Sequence, residues 1–209
     1  MEDRAQAEAY AQADFSEPNQ QFVSLLEALV GGPLEGRLLD LGCGPGDIPL
    51  RLVRRHRGLQ VDALDGSEAM LAIGRRDATQ SPGGERVRFI HGRLPVALPH
   101  ERYAHVVSNS LLHHLADPAA LWESIRAAGG PGSAVLVMDL FRPTDDAAVR
   151  ALVENYAADE PEVLRRDFEN SLYAAYTPAE VTSQLAGAGL ERLRVRTVSD
   201  RHLAVSGIL

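Results

Sequence analysis

The chain has 209 residues, 45% of them hydrophobic, a net charge of −8 and an isoelectric point near 5.4. That size supports one domain with a full core, and the acidic balance excludes the broad basic face of a nucleic-acid binder. A single cysteine, Cys43, excludes an internal disulfide and argues against zinc or any other metal site, while the lack of a basic, then apolar leader and of any membrane-length run predicts a cytoplasmic protein with no membrane insertion.

Residues 3 to 13 are rich in Ala, Gln and Glu and read as a helix. Ser16-Glu17-Pro18 starts a second, with Pro18 in its first turn and Phe22, Leu25, Leu26, Leu29 and Val30 along one face. Gly31-Gly32-Pro33 ends it. Both helices precede the first strand, so they cap the sheet or its ligand. Tyr10 and Phe15 are the aromatic residues placed to do this, or simply to pack.

Leu38 to Leu41 reads as a buried central strand interrupted only by Asp40. Gly42, Gly44 and Gly46 follow at alternate positions, and a helical pattern begins at Pro45 with Ile48, Leu50, Leu52 and Val53. Strand, glycine turn and helix form the layout of a nucleotide-binding loop. The spacing departs from the dinucleotide pattern G-x-G-x-x-G, because Asp47 stands at the third glycine position, and the Lys-Ser/Thr pair of a phosphate loop is missing. An acid in the first helical turn repels a pyrophosphate, so a ligand with a cationic or zwitterionic end fits better. Arg51, Arg54, Arg55 and Arg57 close that helix and complement its dipole.

Leu59 to Leu64 is the second strand, ending in Asp65-Gly66-Ser67. Asp65 lies nineteen residues after Gly46, where a carboxylate accepts hydrogen bonds from ribose hydroxyls. Asp62, inside the strand, is expected on an exposed flank. Ser67 caps a helix carrying Ala69, Met70, Ala72 and Ile73. Arg86 to Ile90 forms the third strand, followed by His91-Gly92-Arg93-Leu94-Pro95. Tyr103 to Ser108 is the fourth, followed by Asn109-Ser110-Leu111-Leu112-His113-His114-Leu115-Ala116-Asp117-Pro118. Two adjacent histidines on a turn point in different directions, so at most one faces a crevice.

Asp117-Pro118 begins a helix with Leu121, Trp122 and Ile125 inward, and Ser133 to Met138 is a fifth buried strand. The segment 141–176 holds five of the ten Phe and Tyr residues, namely Phe141, Tyr156, Phe168, Tyr173 and Tyr176, and reads as a helical lid above the ligand end of the sheet. Thr177-Pro178 caps another helix, to Ala188. Leu190 to Arg196 and His202 to Ile208 finish the chain as an antiparallel pair.

The motif Asp40-x-Gly42-x-Gly44-x-Gly46, Asp65-Gly66-Ser67-Glu68-Ala69-Met70-Leu71 and the loop Asn109 to Pro118 together resemble the class I S-adenosylmethionine-dependent methyltransferases, in their small-molecule, quinone-biosynthesis-like branch. The resemblance covers residues 37 to 140 by motif and continues to the C-terminus by element order. It implies a doubly wound α/β sandwich: a seven-stranded, mostly parallel, Rossmann-like sheet with the last strand antiparallel and helices on both faces. Residues 1–209 then form a single domain, with a helical cap over 1–36, a cofactor core over 37–140, the lid over 141–176, and a closing helix and strand pair over 177–209. The cofactor implied is S-adenosylmethionine, with S-adenosylhomocysteine as product. Tyr10, Phe15, Asp40, Gly42, Cys43, Gly44, Asp65, Gly66, Met70, Gly92, Arg93, Leu94, Asn109 and Ser110 are the cofactor-binding residues implied. Arg93 departs from the family, which usually has an aspartate there for the adenine amino group. His114-Leu115-Ala116-Asp117 matches the catalytic-histidine position of the phosphoethanolamine-type enzymes, which makes His114 the candidate base. The partner implied is a small-molecule acceptor, with the protein a monomer or weak homodimer. A non-catalytic binder on the same fold and, against Asp47, a nicotinamide oxidoreductase are the alternatives.

Overall fold

Seven strands form one sheet in the order β3-β2-β1-β4-β5-β7-β6. In chain order they are β1 (Gly36–Leu41), β2 (Leu59–Asp65), β3 (Val87–His91), β4 (His105–Asn109), β5 (Ala134–Leu140), β6 (Arg194–Thr197) and β7 (His202–Ile208). The computed structural model describes residues 7, 8, 10, 11, 13, 15–100 and 102–209. The helix expected over 3–13 lies partly outside the described residues, of which Ala7, Glu8, Tyr10 and Ala11 are helical. The longer helices are α1 (Ser16–Val30), α2 (Asp47–Arg55), α3 (Glu68–Ala78), α4 (Ala119–Ala128), α5 (Asp146–Ala157), α6 (Glu162–Ala174) and α7 (Pro178–Gly187).

The first five strands pair in parallel, and β7 runs antiparallel to both β5 and β6. Burial follows position. Every residue of central β5 is buried, whereas edge strand β3 is only half covered and edge strand β6 is mostly exposed. One face packs Leu38, Val107, Leu136 and Met138 against α1 and α2 through Phe22, Leu26, Ile48 and Leu52. The other packs Leu39, Leu41, Val106, Val135 and Val137 against α4 and α7 through Leu121, Trp122, Ile125, Val181 and Leu185. The helices after β1 and β4 therefore leave to opposite faces. Between two adjacent strands this opens the switch-point crevice at their C-terminal ends.

Helix ends follow their local chemistry. Ser67 accepts from Met70 N–H at the start of α3, and Thr177 and Glu180 complete a capping box on α7. Cations gather at the C-terminal end of α2, as expected. Arg54 and Arg55 lie in its last turn, Arg54 Nε donates to Leu50 O at 3.1 Å, and the Arg86 guanidinium, arriving from the loop before β3, donates to Val53 O and, beyond the helix, to His56 O and Leu59 O. Arg55 and His56 instead reach Glu27, tying α2 to α1.

Asp62 is also placed differently. It is 3% exposed, and its carboxylate accepts from Tyr103 Oη at 2.8 Å, with Arg88 and His100 nearby. The loop before β4 supplies that cover, which strand position alone does not reveal.

The segment between β5 and α7 folds as the helix pair α5–α6 around its own small core of Val149, Leu152, Val153, Phe168 and Leu172, seated on Leu140. Its two ends meet where Phe141 bridges Tyr176, so the insertion leaves and re-enters the sheet at one point. The aromatic residues expected to roof a ligand are largely used elsewhere. Tyr156 donates to Asp200 and lies under Arg201, Tyr173 donates to Asp146, and Phe168 is internal.

Candidate functional site

The glycine turn joins β1 to α2 at the C-terminal edge of the sheet. Gly46 takes a left-handed φ of +84°, and a Cβ there would stand 2.7 Å from the Phe89 ring, so the third glycine lets the turn pack against β3. At Gly44, φ is +53° and nothing lies within 4 Å of where a Cβ would stand, so the backbone faces open space. Gly44 N–H donates to Asp65 Oδ2 at 2.9 Å, and Ser67 N–H donates to Asp65 Oδ1 at 2.7 Å. The two hydrogen bonds fix the Asp65 carboxylate on the rim of the crevice with lone pairs to spare.

Asp40 lies below, 2% exposed, with Oδ1 buried and unbonded among the described residues. Burial first, and Asp65 second, push its carboxyl up to about 8. Asn109 Oδ1, at the end of β4, is a second buried acceptor without a donor among the described residues. Its Nδ2 reaches Asn19 of α1 at 3.4 Å, and Asn19 Nδ2 donates to Asp47 at 2.7 Å. Asp47 also holds Arg51 at 2.6 Å. The start of α1 thus ties the β4 end to the glycine turn. Ser110, next in chain, has φ +55°, a strained conformation for a residue with a side chain. Cys43 is buried, and its thiol is held well above its ordinary value by burial and then Asp40, which makes it an inert part of the turn.

On the opposite rim, the Arg93 side chain crosses Gly66, where a Cβ would stand 3.0 Å from its Cγ. Gly92 N–H donates to Asp65 O at 3.0 Å. Met70, with Ile73, packs against Ala7 and Tyr10, so the N-terminal segment covers this side. Burial, then the charges of Asp65 and Asp139, push the Tyr10 phenol up to about 12. Its ring sits 4.8 Å from that of Phe15. Leu94 joins the core below the rim.

The post-β4 loop ends in the turn Leu112–His114. His113 is buried and its Nδ1 lies 2.5 Å from Asp139 Oδ1, while Leu112 N–H donates to Asp139 Oδ2 at 2.7 Å. His114 lies alongside, ring centroids 4.0 Å apart. The protein packed around it and then His113 push its imidazole down to about 4. Asp139 has no signal in the sequence, because an acid within a β-strand of apolar residues looks like any strand interruption. Among the described residues no group of His, Cys, Asp and Glu gathers as a metal site, and no helix is long and apolar enough to cross a membrane.

These elements bring together Asp40, Gly44, Asp65, Gly66, Met70, Arg93, Asn109 and Tyr10 around one crevice. Its chemistry is definite. Two buried acceptors without donors among the described residues call for a ligand that donates hydrogen bonds and carries positive charge. A fixed rim carboxylate suits a diol, and an open glycine backbone permits close approach.

The chain is similar to known methyltransferases. Residues 38–132 match the family model described as a methyltransferase domain. The trans-aconitate 2-methyltransferase of Mycobacterium tuberculosis is 34% identical over 143 residues, 66% of this chain and 51% of the relative. The chain spans about half the length of such relatives. The chain solved as a DhpI–SAM–HEP complex is 26% identical with a TM-score of 0.66, covering 97% of this chain and 92% of the other. A SAM-dependent methyltransferase from Aquifex aeolicus, 18% identical, shares the fold with a TM-score of 0.69 over 99% of this chain and 98% of its own.

Proposed function

We propose that this chain, which belongs to the class I S-adenosylmethionine-dependent methyltransferases, moves a methyl group from S-adenosylmethionine to a small-molecule acceptor held beyond the ends of β4 and β5. The observation that carries this reading is Asp40 Oδ1, buried and without a donor among the described residues, beside the open Gly44 backbone. A methionine ammonium supplies the missing donor and charge.

Asp65 is held by Gly44 N–H and Ser67 N–H so that its free lone pairs meet ribose hydroxyls. In this reading Gly66, Met70, Gly92, Arg93 and Leu94 border the base, and Arg93, whose side chain crosses Gly66, stands where the family usually has an acid. Gly42, Cys43, Asn109 and Ser110 line the methionine side, and Tyr10 and Phe15 close the crevice against water. His114 stands at the acceptor end, within electrostatic reach of Asp167 on α6. The cofactor supplies an already activated sulfonium methyl. What remains for the protein is alignment and exclusion of water, for which effective molarities of about 10⁵ M or more are available.

The test is transfer of label from methyl-labelled donor to the small-molecule fraction of a cell extract. Labelled product supports an enzyme. S-adenosylhomocysteine binding without any product supports a non-catalytic binder, and NADH binding without S-adenosylhomocysteine binding supports an oxidoreductase.

A further inference from the structure

The His113–Asp139 pair is more elaborate than holding a loop demands. Asp139, 1% exposed, closes β5 and accepts from Leu112 N–H at 2.7 Å, Leu140 N–H at 2.8 Å and His113 Nδ1 at 2.5 Å. With its carboxylate tied by three donors, the proton between the pair belongs on His113 Nδ1, an assignment made from the hydrogen-bond network. The other nitrogen, Nε2, then carries a lone pair. Among the described residues nothing hydrogen-bonds it. The histidine sits on the turn after β4, at the switch point, and α6 of the insertion packs against that turn.

We propose that His113, oriented by Asp139, is the base that takes the acceptor's proton, so that the acceptor presents a hydroxyl or an amine rather than a carboxylate. The proposal rests on the methyltransferase reading above. His113 Nε2 removes the proton as the acceptor's oxygen or nitrogen lone pair bonds the methyl carbon. The carbon–sulfur pair stays on sulfur, which becomes neutral, and the imidazolium later releases its proton to water. Asp139 is a positioning residue: it fixes the tautomer and stabilises the imidazolium, the division of labour in a serine-hydrolase triad. A carboxylate acceptor is ionised at neutral pH and needs no base. His114 is the weaker candidate, because an imidazole pushed down to about 4 has little drive to take a proton at neutral pH. The titratable groups around His113 are Asp139 on β5, His114 on its own turn and His202 on β7, while Tyr10 and Asp167 stand one group further out.

The test combines nitrogen-15 histidine NMR with variants. In the wild-type protein the expected result is a His113 ring protonated on Nδ1, whose Nε2 resonance moves on saturation with S-adenosylhomocysteine. Ligand-induced changes at the glycine turn with His113 unmoved, or a proton on Nε2, overturn this proposal alone. No change anywhere in the spectrum overturns the cofactor reading and this proposal with it. The wild-type spectra decide the matter even where a variant fails to fold. With labelled donor and catechol, ethanolamine or trans-aconitate as test acceptors, transfer to catechol or ethanolamine is expected. His113→Gln then lowers kcat by about 10²–10⁴, leaves S-adenosylhomocysteine affinity within about twofold, and removes the acid limb of the pH profile. Transfer to trans-aconitate alone, or a His113→Gln enzyme as fast as wild type, overturns it.

Discussion

Asp40 links ligand binding to pH. Its folded value of about 8 stands above the 3.8 of a free carboxyl. Between those two values the folded chain holds a proton that the unfolded chain has lost, so this group's contribution to stability falls as pH rises through that window. A cation beside Asp40 reverses the preference and expels the proton. S-adenosylhomocysteine binding at pH 7 is therefore expected to release a proton, with a calorimetric enthalpy that differs between phosphate and Tris buffers. Below pH 8, affinity should increase as pH rises, by up to about tenfold per unit. Equal enthalpies and a flat profile would remove Asp40 from the site, and Asp40→Asn should abolish the buffer dependence. Gly44 gives a second test at this scale. Its Cβ direction is empty, so Gly44→Val should fold, at a backbone cost of about 1–3 kcal/mol, yet show no ligand-induced rise in melting temperature. A normal rise in that variant would mean that the turn is not the cradle. The residues legible in the sequence are those whose role is backbone shape or a strand-end charge, such as Gly44 and Asp65. Asp62 and Asp139 are not, because each owes its role to a partner more than 25 residues away, Tyr103 or His113.

At the scale of elements, the strands announce themselves through apolar runs bounded by glycine or aspartate, and all seven stand within a few residues of where the pattern puts them. β6 is the loosest fit. It is expected from Leu190 but forms only over Arg194–Thr197, because Leu190 and Leu193 turn inward as a cap on the core. In the insertion, three of the five aromatic residues serve its own packing and fastening. Five aromatic residues suggest a ligand roof, but a helix pair with few apolar residues of its own needs Phe168 for a core and Tyr156 and Tyr173 for fastening to its neighbours. Tyr156→Phe, which breaks the bond to Asp200, should cost about 0.5–1.5 kcal/mol of stability at most and leave S-adenosylhomocysteine affinity unchanged. A matching loss of affinity would return Tyr156 to the site. The N-terminal segment has the stronger claim to be the cover, since Tyr10 packs on α3 and feels the charges of both Asp65 and Asp139. Hydrogen exchange of the peptide spanning Tyr10 and Phe15 should slow when S-adenosylhomocysteine binds. Unchanged exchange there, with protection of the glycine turn, would confine the site to the sheet edge.

For the whole molecule, sheet order sets where the proposed site can lie. Placing β1 beside β4, with α2 and α4 on opposite faces, leaves one edge that gathers Asp40, Asp65, Asn109 and Asp139, and there the ligand and its acceptor are proposed to sit. Most of that order is legible in the sequence, because glycine turn, strand-end acids and the antiparallel closing pair occur in the right succession. The acceptor is not, because the surfaces that would choose it come from α1, the post-β4 loop and the insertion, whose mutual placement no local pattern encodes. The most direct measurement is calorimetric titration of the wild-type chain and Asp65→Ala with S-adenosylhomocysteine. One site per chain is expected, weakened by about 1.5–3 kcal/mol when the rim carboxylate is removed. No binding to the wild type, or equal affinity in both proteins, would contradict it.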